Sequence, residues 1–372
     1  MRILYITTIG STMDFFTGLI KELVDSGHTV DIACNDTFSP VNRFYTDIGC
    51  RVHTISCSRS PLKRDNISAI KQIRALVNQT HYDIVHCHTP IAAACARIAC
   101  RKVRKAATKV YYTAHGFHFY KGAPLFNWLL YYPIEKLCSY MTDKIITINS
   151  EDFTFAKKHF KPACIEYVPG VGVDIPKFAD TQTDKVKKRL ETGISDDSFV
   201  LISVGELNKN KNHETILRAL ALINNPSVHY LIAGKGELHD YLKELADTLG
   251  IGNRVHLLGF RDDIAELYKA SDVCVFPSIR EGLGLAAIEA MACGLPLIVS
   301  DNRGSRDFAK NNENALVCPA FDVQAFSEAI KRLSSDNQLY LNMANTNIVL
   351  AQKFSSDIVN KRMVQLYTNQ RG

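Results

Sequence analysis

Residues 273–300 read "VCVFPSIREGLGLAAIEAMACGLPLIVS", and the fold turns on how this stretch is read. "VCVFPS" is a short apolar run that ends at Pro277-Ser278, as a buried strand does. "IREGLGL" is a turn carrying Gly282 and Gly284, and "LAAIEAMAC" is a helix closed by Gly294 and Pro296. "PLIVSDN" then reads as a second strand. A strand, a helix and a strand in immediate succession point to a parallel sheet with helices packed on its faces.

The same alternation extends in both directions. Upstream, "RILYITTIG", "TVDIACN", "CRVHTIS", "YDIVHCH", "KVYYTAH" and "DKIITINS" are strand candidates rich in Val, Ile, Thr and Tyr. Between them "MDFFTGLIKELVDSG", "NISAIKQIRALVNQ" and "AAACARIACRKVRK" place apolar residues at helical spacing. After "YVPGVGVDIPKF" the pattern restarts with "FVLISVGEL", "NHETILRALALIN", "VHYLIAGKG" and "LHDYLKELADTLG". "RVHLLGF", "DIAELYKA", "DVCVFPS" and "ALVCPA" continue it. Two doubly wound units are therefore expected, hinged at "PGVG" (169–172), where Pro and Gly concentrate. The expected division is residues 1–170 and 171–353, with a C-terminal helix within 354–372 packing back on the first unit. Two such units facing each other would leave a cleft lined by the carboxyl ends of both sheets, where open α/β folds bind ligands.

Composition agrees with this reading. A chain of 372 residues exceeds one ordinary core and suits two domains. Its 46% hydrophobic and 22% charged residues are those of a globular protein. No apolar run reaches the roughly 18–20 residues of a membrane span, and "MRILYITTIG" reads as a first strand rather than a leader. Eleven cysteines without any C-x-x-C pair suggest buried thiols in a reducing cytoplasm, not a disulfide frame or a zinc site. Charge is uneven. Between Arg51 and Val110, twelve Lys/Arg stand against two Asp, a local +10 in a chain of +6. That end of the molecule is expected to favour an anionic surface. No recognised nucleic-acid motif accompanies it.

Several stretches carry chemistry. The glycine turn at 282–284 leaves backbone N–H groups at a helix N-terminus, where they suit a phosphate. Glu281 stands before that helix. Glu289, about one turn in, is placed to accept charge-assisted hydrogen bonds from vicinal hydroxyls, as on a ribose beside a diphosphate. "SVGELNKNKNHETI" brings Lys209 and Lys211 to the start of a second helix, where they can neutralise a leaving diphosphate. "LIAGKGELHDYL" runs a strand into Gly234 and Gly236 ahead of a third. Among the histidines, His86 and His88 alternate on one strand and so share a face, and His115 precedes Gly116 at a strand end. His118 lies beyond it. "APLFNWLLYYPIEKLC" holds the only Trp in a dense aromatic stripe. Two readings stand for it: core packing, or a helix at a cleft edge that meets lipid.

These strings resemble the retaining glycosyltransferases of family 4. The resemblance rests on an E-x7-E signature (Glu281, Glu289), "VFPS", "REGLGLAAIEAMACGLPLIVSD", "VGEL", "NKNKN", "AGKGEL" and "LGFRDDIAELYKASDV" in order. "DIVHCHTP", "YTAHGFHFYKGAP" and "YVPGVGVD" are similar to the capsule and exopolysaccharide branch. The resemblance implies the GT-B fold, two Rossmann-like domains about a central cleft. It implies that Glu281 faces the donor sugar, Glu289 binds ribose, and the turn Gly282, Leu283, Gly284, Leu285 touches the diphosphate. Lys211 matches the phosphate lysine, Gly205 and Gly234 the donor-site glycines, and Gly10 the N-domain loop glycine near the diphosphate. His115 matches the cleft histidine by the reacting sugar; His88 and His118 are acceptor-side candidates. One departure is Glu206, where the family often has arginine after "VG". Lys209 or Arg261 would then supply the missing charge. The N-terminal loop "TTIGSTMDFF" also lacks the family's double glycine.

The function expected from the resemblance is sugar transfer from a nucleotide-sugar, a UDP-sugar by preference, with retention. The acceptor would be a saccharide on a polyprenyl diphosphate at the inner face of a bacterial membrane. No D-x-D carboxylate pair appears, so no metal and no cofactor are expected, and His115, Glu281 and Lys211 would carry the chemistry. A sugar-nucleotide epimerase would share the fold and donor pocket, and a non-catalytic nucleotide-binding protein would keep the pocket alone. A dehydrogenase is disfavoured because "TTIGSTMDFF" is not G-x-G-x-x-G.

Overall fold

The computed structural model describes residues 1–368. Two parallel sheets account for every strand pairing within it. The first runs β3-β2-β1-β4-β5-β6-β7, with β1 Arg2–Ile9, β2 Thr29–Asn35, β3 Arg51–Thr54, β4 Ile84–His88, β5 Lys109–Ala114, β6 Lys144–Thr147 and β7 Cys164–Tyr167. The second runs β10-β9-β8-β11-β12-β13, with β8 Phe199–Val204, β9 Val228–Ala233, β10 Val255–Gly259, β11 Val273–Phe276, β12 Leu297–Ser300 and β13 Ala315–Cys318. Each sheet winds outward from its first strand, then reverses. The switch points lie between β1 and β4 and between β8 and β11, which is where a doubly wound sheet opens a crevice.

The chain divides into two compact units, one of residues 1–171 with the segment from Ser356 onward, the other of 172–355. The final helix Ser356–Thr368 belongs to the first unit. Its Val359, Met363, Leu366 and Tyr367 join a core of Ile3, Tyr5, Ile20, Leu23 and Ile84. The part of the expected 354–372 helix beyond Thr368 lies outside the described residues.

Strand β7 is not announced by the sequence pattern. It is a four-residue edge strand, "CIEY", in which no residue is fully buried and Glu166 sits among the apolar positions. Such a strand shows neither a continuous apolar run nor a clean alternation.

The charge count needs a correction as well. Arg97 is fully buried, its guanidinium 2.8 Å from Glu135 and stacked 4.1 Å over the Tyr112 ring. Arg51 pairs with buried Asp31 at 3.3 Å and Arg104 with Asp143 at 2.9 Å. Three of the twelve cations are thus neutralised by carboxylates from outside the counted stretch. The +10 of the sequence overstates the field at the surface. All eleven cysteines are free thiols.

Candidate functional site

In the second unit Gly205, Lys211, Gly234, Glu281 and the glycine turn come together at the ends of β8, β9 and β11. The backbone brings them there. After β8 the loop 205–212 is stitched to the next loop by Leu207 N–H on Lys235 O (2.9 Å) and Leu238 N–H on Leu207 O (3.0 Å). It is tied to the glycine turn by Ile279 N–H on Asn210 O (2.8 Å), and by the Asn210 side-chain amide on Arg280 O (2.9 Å). Below it, Tyr230 Oη donates to Ser203 Oγ at 2.8 Å and lies 3.0 Å from His213 Nδ1, fixing the start of helix His213–Ala221.

That scaffold sets Lys211 Nζ 2.7 Å from Glu281 Oε1, both side chains only partly exposed. The lysine stem crosses directly over Gly205, where a Cβ would lie 3.1 Å from Lys211 Cε. Its ammonium also sits 5.2 Å from the centre of the Phe276 ring. A lysine held so, beside a helix N-terminus, is a preorganised positive point for a phosphate. Gly284 caps helix Leu285–Ala292 at φ +109, with the Phe276 and Phe308 rings packed where a side chain would go. Ala287 N–H donates to Gly284 O at 3.1 Å, which leaves the Leu285 and Ala286 amides as those without an intrahelical acceptor. Glu289 lies one turn along, and burial pushes its carboxyl up to about 7 despite Lys177 pulling the other way.

Leu283 has its side chain buried, so only its backbone is available to a ligand. A Cβ on Gly234 would fall 1.9 Å from Gly205 O, and one on Gly236 would fall 2.4 Å from Leu207 O. Both are glycines because two loops touch there. Arg261 is held by Asp263 through two hydrogen bonds of 2.7 and 2.5 Å. Glu206 is exposed and accepts a hydrogen bond from Asn208 at 2.9 Å, not from a lysine. Lys209 is exposed and lines a separate cavity of about 430 Å³ with Tyr241, Phe321 and Ile279.

One contributor escapes the sequence reading. The loop after β12 clamps the glycine turn: Arg303 donates to Glu281 O at 3.3 Å, and a Cβ on Gly304 would lie 2.8 Å from Leu283 O. Ser300 and Asn302 both donate to Ser278 O. The signal was present as the polar run "SDNRGS" directly after a buried strand.

The first unit builds a different site at its own switch point. His86 and His88 do share a face of β4, their ring centres 4.2 Å apart. His86 is fully buried between Tyr367 Oη (2.5 Å) and Thr113 Oγ1 (2.8 Å). His88 is 1% exposed, stacked on Tyr5 and packed against Phe16, with its Nδ1 3.1 Å from His115 Nε2. His88 and His115 line one small cavity with Phe16, Thr113 and Gly170. Burial holds His115 down at about 4 and His88 well below the ordinary imidazole value, the latter helped by its two histidine neighbours. Both rings are neutral at pH 7. One must donate and the other accept, so their tautomers are locked together.

Gly10 directly follows β1. Its N–H donates to Ser39 O at 2.9 Å, and a Cβ there would lie 2.2 Å from the same oxygen. It is a glycine because residues 39–41 pass against it, and its amide is not available to an anion. His118 rests against Tyr131, ring centres 4.7 Å apart. Among the described residues, no three His, Cys, Asp or Glu side chains gather as metal ligands, and no helix is long and apolar enough to cross a membrane.

Comparison with known proteins follows this geometry. Residues 184–348 match the sequence family described as Glycosyl transferases group 1, and residues 2–149 match Glycosyl transferase 4-like. The chain is 36% identical to a putative glycosyltransferase, EpsD, of Bacillus subtilis (strain 168), over 91% of this chain and 94% of that one. It is 33% identical to the UDP-Gal:alpha-D-GlcNAc-diphosphoundecaprenol alpha-1,3-galactosyltransferase of Escherichia coli, over 78% of each. In fold it is similar to Anabaena HepE, crystallised with UDP and glucose, at a TM-score of 0.81 and 21% identity, covering 99% of this chain and 100% of that one.

Proposed function

The chain belongs to the group 1, family 4 glycosyltransferases of GT-B fold, and from that premise we propose that it moves a sugar from a UDP-sugar to a lipid-linked saccharide with retention. The observation that carries this reading is the Lys211–Glu281 pair, 2.7 Å apart at the mouth of the glycine turn. A diphosphate arriving at the turn competes with Glu281 for Lys211. The lysine goes to the phosphate, and Glu281 is released to the hydroxyls of the donor sugar. Glu289, once ionised, accepts from the ribose hydroxyls.

In the proposed reaction the bond between the anomeric carbon and the diphosphate oxygen breaks, and the acceptor hydroxyl attacks the same face. The departing phosphate oxygen takes the acceptor's proton, so UDP leaves and a glycosidic bond forms with retained configuration. Charge on the β-phosphate grows as that bond breaks. Lys211 and the amides opening helix Leu285–Ala292 are placed to stabilise it, and no metal is assigned a part. His115 is assigned to the reacting sugar and the acceptor side. The E. coli relative acts on a diphosphoundecaprenol-linked sugar, which supports a lipid-linked acceptor and the capsule or exopolysaccharide setting. Work on such an acceptor would place the enzyme at the inner face of the plasma membrane.

The test is a panel of UDP-sugars offered with a polyprenyl-diphosphate saccharide and with EDTA present. A product with the donor's anomeric configuration is expected. An inverted linkage, or turnover that EDTA abolishes and Mg²⁺ restores, would overturn the corresponding part. Interconversion of the UDP-sugar without acceptor would identify an epimerase instead.

A further inference from the structure

Helix Leu125–Ser139 has two apolar faces, and only one of them is used by the core. Trp128, Tyr131 and Tyr132 turn inward onto the core that holds Phe117, Phe119 and Phe160. Leu125, Phe126, Leu129 and Leu137 turn outward and are 72, 63, 70 and 65% exposed. Leu125, Leu129, exposed Pro133 and Leu137 follow a four-residue spacing, so they form one ridge along the helix, roughly 18 Å from end to end. Tyr140, 57% exposed, extends it past the last turn. A monomer seldom leaves such a continuous ridge in water without a use for it.

The charge around the ridge has one sign. The helix's single carboxylate, Glu135, is turned inward against Arg97. The short basic helix Arg101–Ala106 is pinned at the ridge's end, because Arg104 donates to Tyr140 O at 3.3 Å and pairs with Asp143. Its Arg101, Lys102 and Lys105 are exposed, as are Lys121 and Lys136 beside the ridge itself. None of these five has a carboxylate partner among the described residues.

We propose that this face docks on an anionic lipid bilayer, with the helix lying in the interface, its ridge at the acyl boundary and the five cations on headgroup phosphates. An apolar stripe rimmed by Lys and Arg is the pattern of an interfacial helix, and the rim would add a salt-sensitive attraction. The inference deepens the lipid-linked acceptor reading by naming the surface that meets the lipid. It rests on that reading only for which membrane is met.

The test uses the full chain and vesicle co-sedimentation, comparing vesicles of phosphatidylcholine alone with vesicles containing about one third phosphatidylglycerol. The wild type is expected to sediment with the anionic vesicles. Leu129→Glu with Leu137→Glu should lower that partitioning at least about tenfold at any salt, since buried leucine area supplies the apolar part. Lys102→Glu with Lys105→Glu should remove mainly the component that falls as salt rises. Both pairs lie on the surface, and an unchanged melting temperature checks their folds. Transfer to a short-chain, water-soluble acceptor should be unaffected by either. Lack of vesicle binding by the wild type, or full binding by the double-glutamate variant, would overturn the proposal. So would a dimer in solution that the glutamates dissociate, which would make the ridge a contact between copies. Vesicle binding with no transferase activity would sink the proposed function and leave this inference standing.

Discussion

The two switch points share a strand order and almost nothing else. At the second, a lysine and a carboxylate meet at 2.7 Å beside an open helix N-terminus, with another carboxylate one turn away. At the first, Tyr5, Phe16, His86, His88 and His115 form a chain of rings, His88 within about 6 Å of each of the others, and the histidines are neutral. Winding decides where a crevice opens, because loops at the carboxyl ends of β-strands diverge there in either unit. What the crevice does depends on the few residues those loops carry. One presents a held charge; the other presents neutral hydrogen-bonding rings in an aromatic setting.

If that contrast is right, the largest effect of any single change belongs to the charged site. Lys211→Ala should lower kcat by on the order of 10²–10³, the scale of losing one preorganised electrostatic stabiliser. Donor KM should rise by less, because the interaction strengthens as the glycosidic bond breaks. Steady-state kinetics at saturating acceptor would read both. A variant that loses only KM would mean that Lys211 binds the ground state and transition state equally.

Glu289 comes next. Glu289→Ala should weaken UDP binding by about 1.5–3 kcal/mol, the worth of hydrogen bonds to a charged group. Its pH dependence has a definite sign. Burial raises the folded carboxyl from 4.5 to about 7. Its contribution to the free protein's stability is therefore full below the unfolded value and lost as pH rises through 7. Donor affinity should move the other way, improving from about pH 6 to pH 8 as the carboxylate becomes able to accept from ribose. Glu289→Gln should flatten both trends in thermal melting and UDP titration. A wild type already flat over that range would remove Glu289 from the ribose site.

The same contrast explains what could be read in advance. Alternating apolar runs and helical spacing gave both sheets apart from β7, whose four residues carry no pattern. The charged site was legible because Glu281 stands in a glycine turn, Glu289 one turn into the helix that the turn opens and Lys211 in the polar loop after β8, a combination that packing alone does not require. The glycines were only half legible. Gly10, Gly234 and Gly236 look like ligand-contact glycines, yet each is demanded by another backbone within 2.5 Å of where its Cβ would be. Sequence shows the missing side chain and not what occupies its place. For the histidines, a strand period gives the shared face of His86 and His88 but cannot show that His88 and His115 meet at one cavity. Buried Arg97 was counted as surface charge because its partner Glu135 is 38 residues away in the sequence.

The neutral site should answer more mildly. His88→Phe keeps the ring packed against Tyr5 and Phe16 while removing the hydrogen bond to His115. A loss of about 2–10-fold in kcat with little change in donor KM is expected, the worth of one hydrogen bond between uncharged partners. The readout that separates this from a loosened core is the ¹⁵N spectrum of His115, whose tautomer should shift. His88→Asn, which offers an amide N–H, should restore part of the rate if that bond matters. An unchanged His115 spectrum in His88→Phe would mean that His88 is packing and nothing more.

The smallest effect should come from the lysine two residues before Lys211. Both lie in "NKNKN", and by sequence either could meet a diphosphate. Lys209 is exposed, faces the cavity beside Tyr241 and Phe321, and pairs with no carboxylate among the described residues. Lys211 is held over Gly205 with its ammonium on Glu281. A solvated side chain must give up hydration and rotamer freedom to reach a ligand, whereas a preplaced one gives up little. Lys209→Ala should therefore stay within about twofold of wild type in kcat and donor KM, the range of an exposed surface substitution. The comparison sharpens when the two alanine variants are assayed side by side as ionic strength rises. The Lys209 difference should vanish under screening, while the deficit of Lys211→Ala should persist because its site is partly shielded from salt. A crippled Lys209→Ala beside a mild Lys211→Ala would reverse the assignment and make the ion pair with Glu281 a fastening of the loop, with the phosphate met from the other side of it.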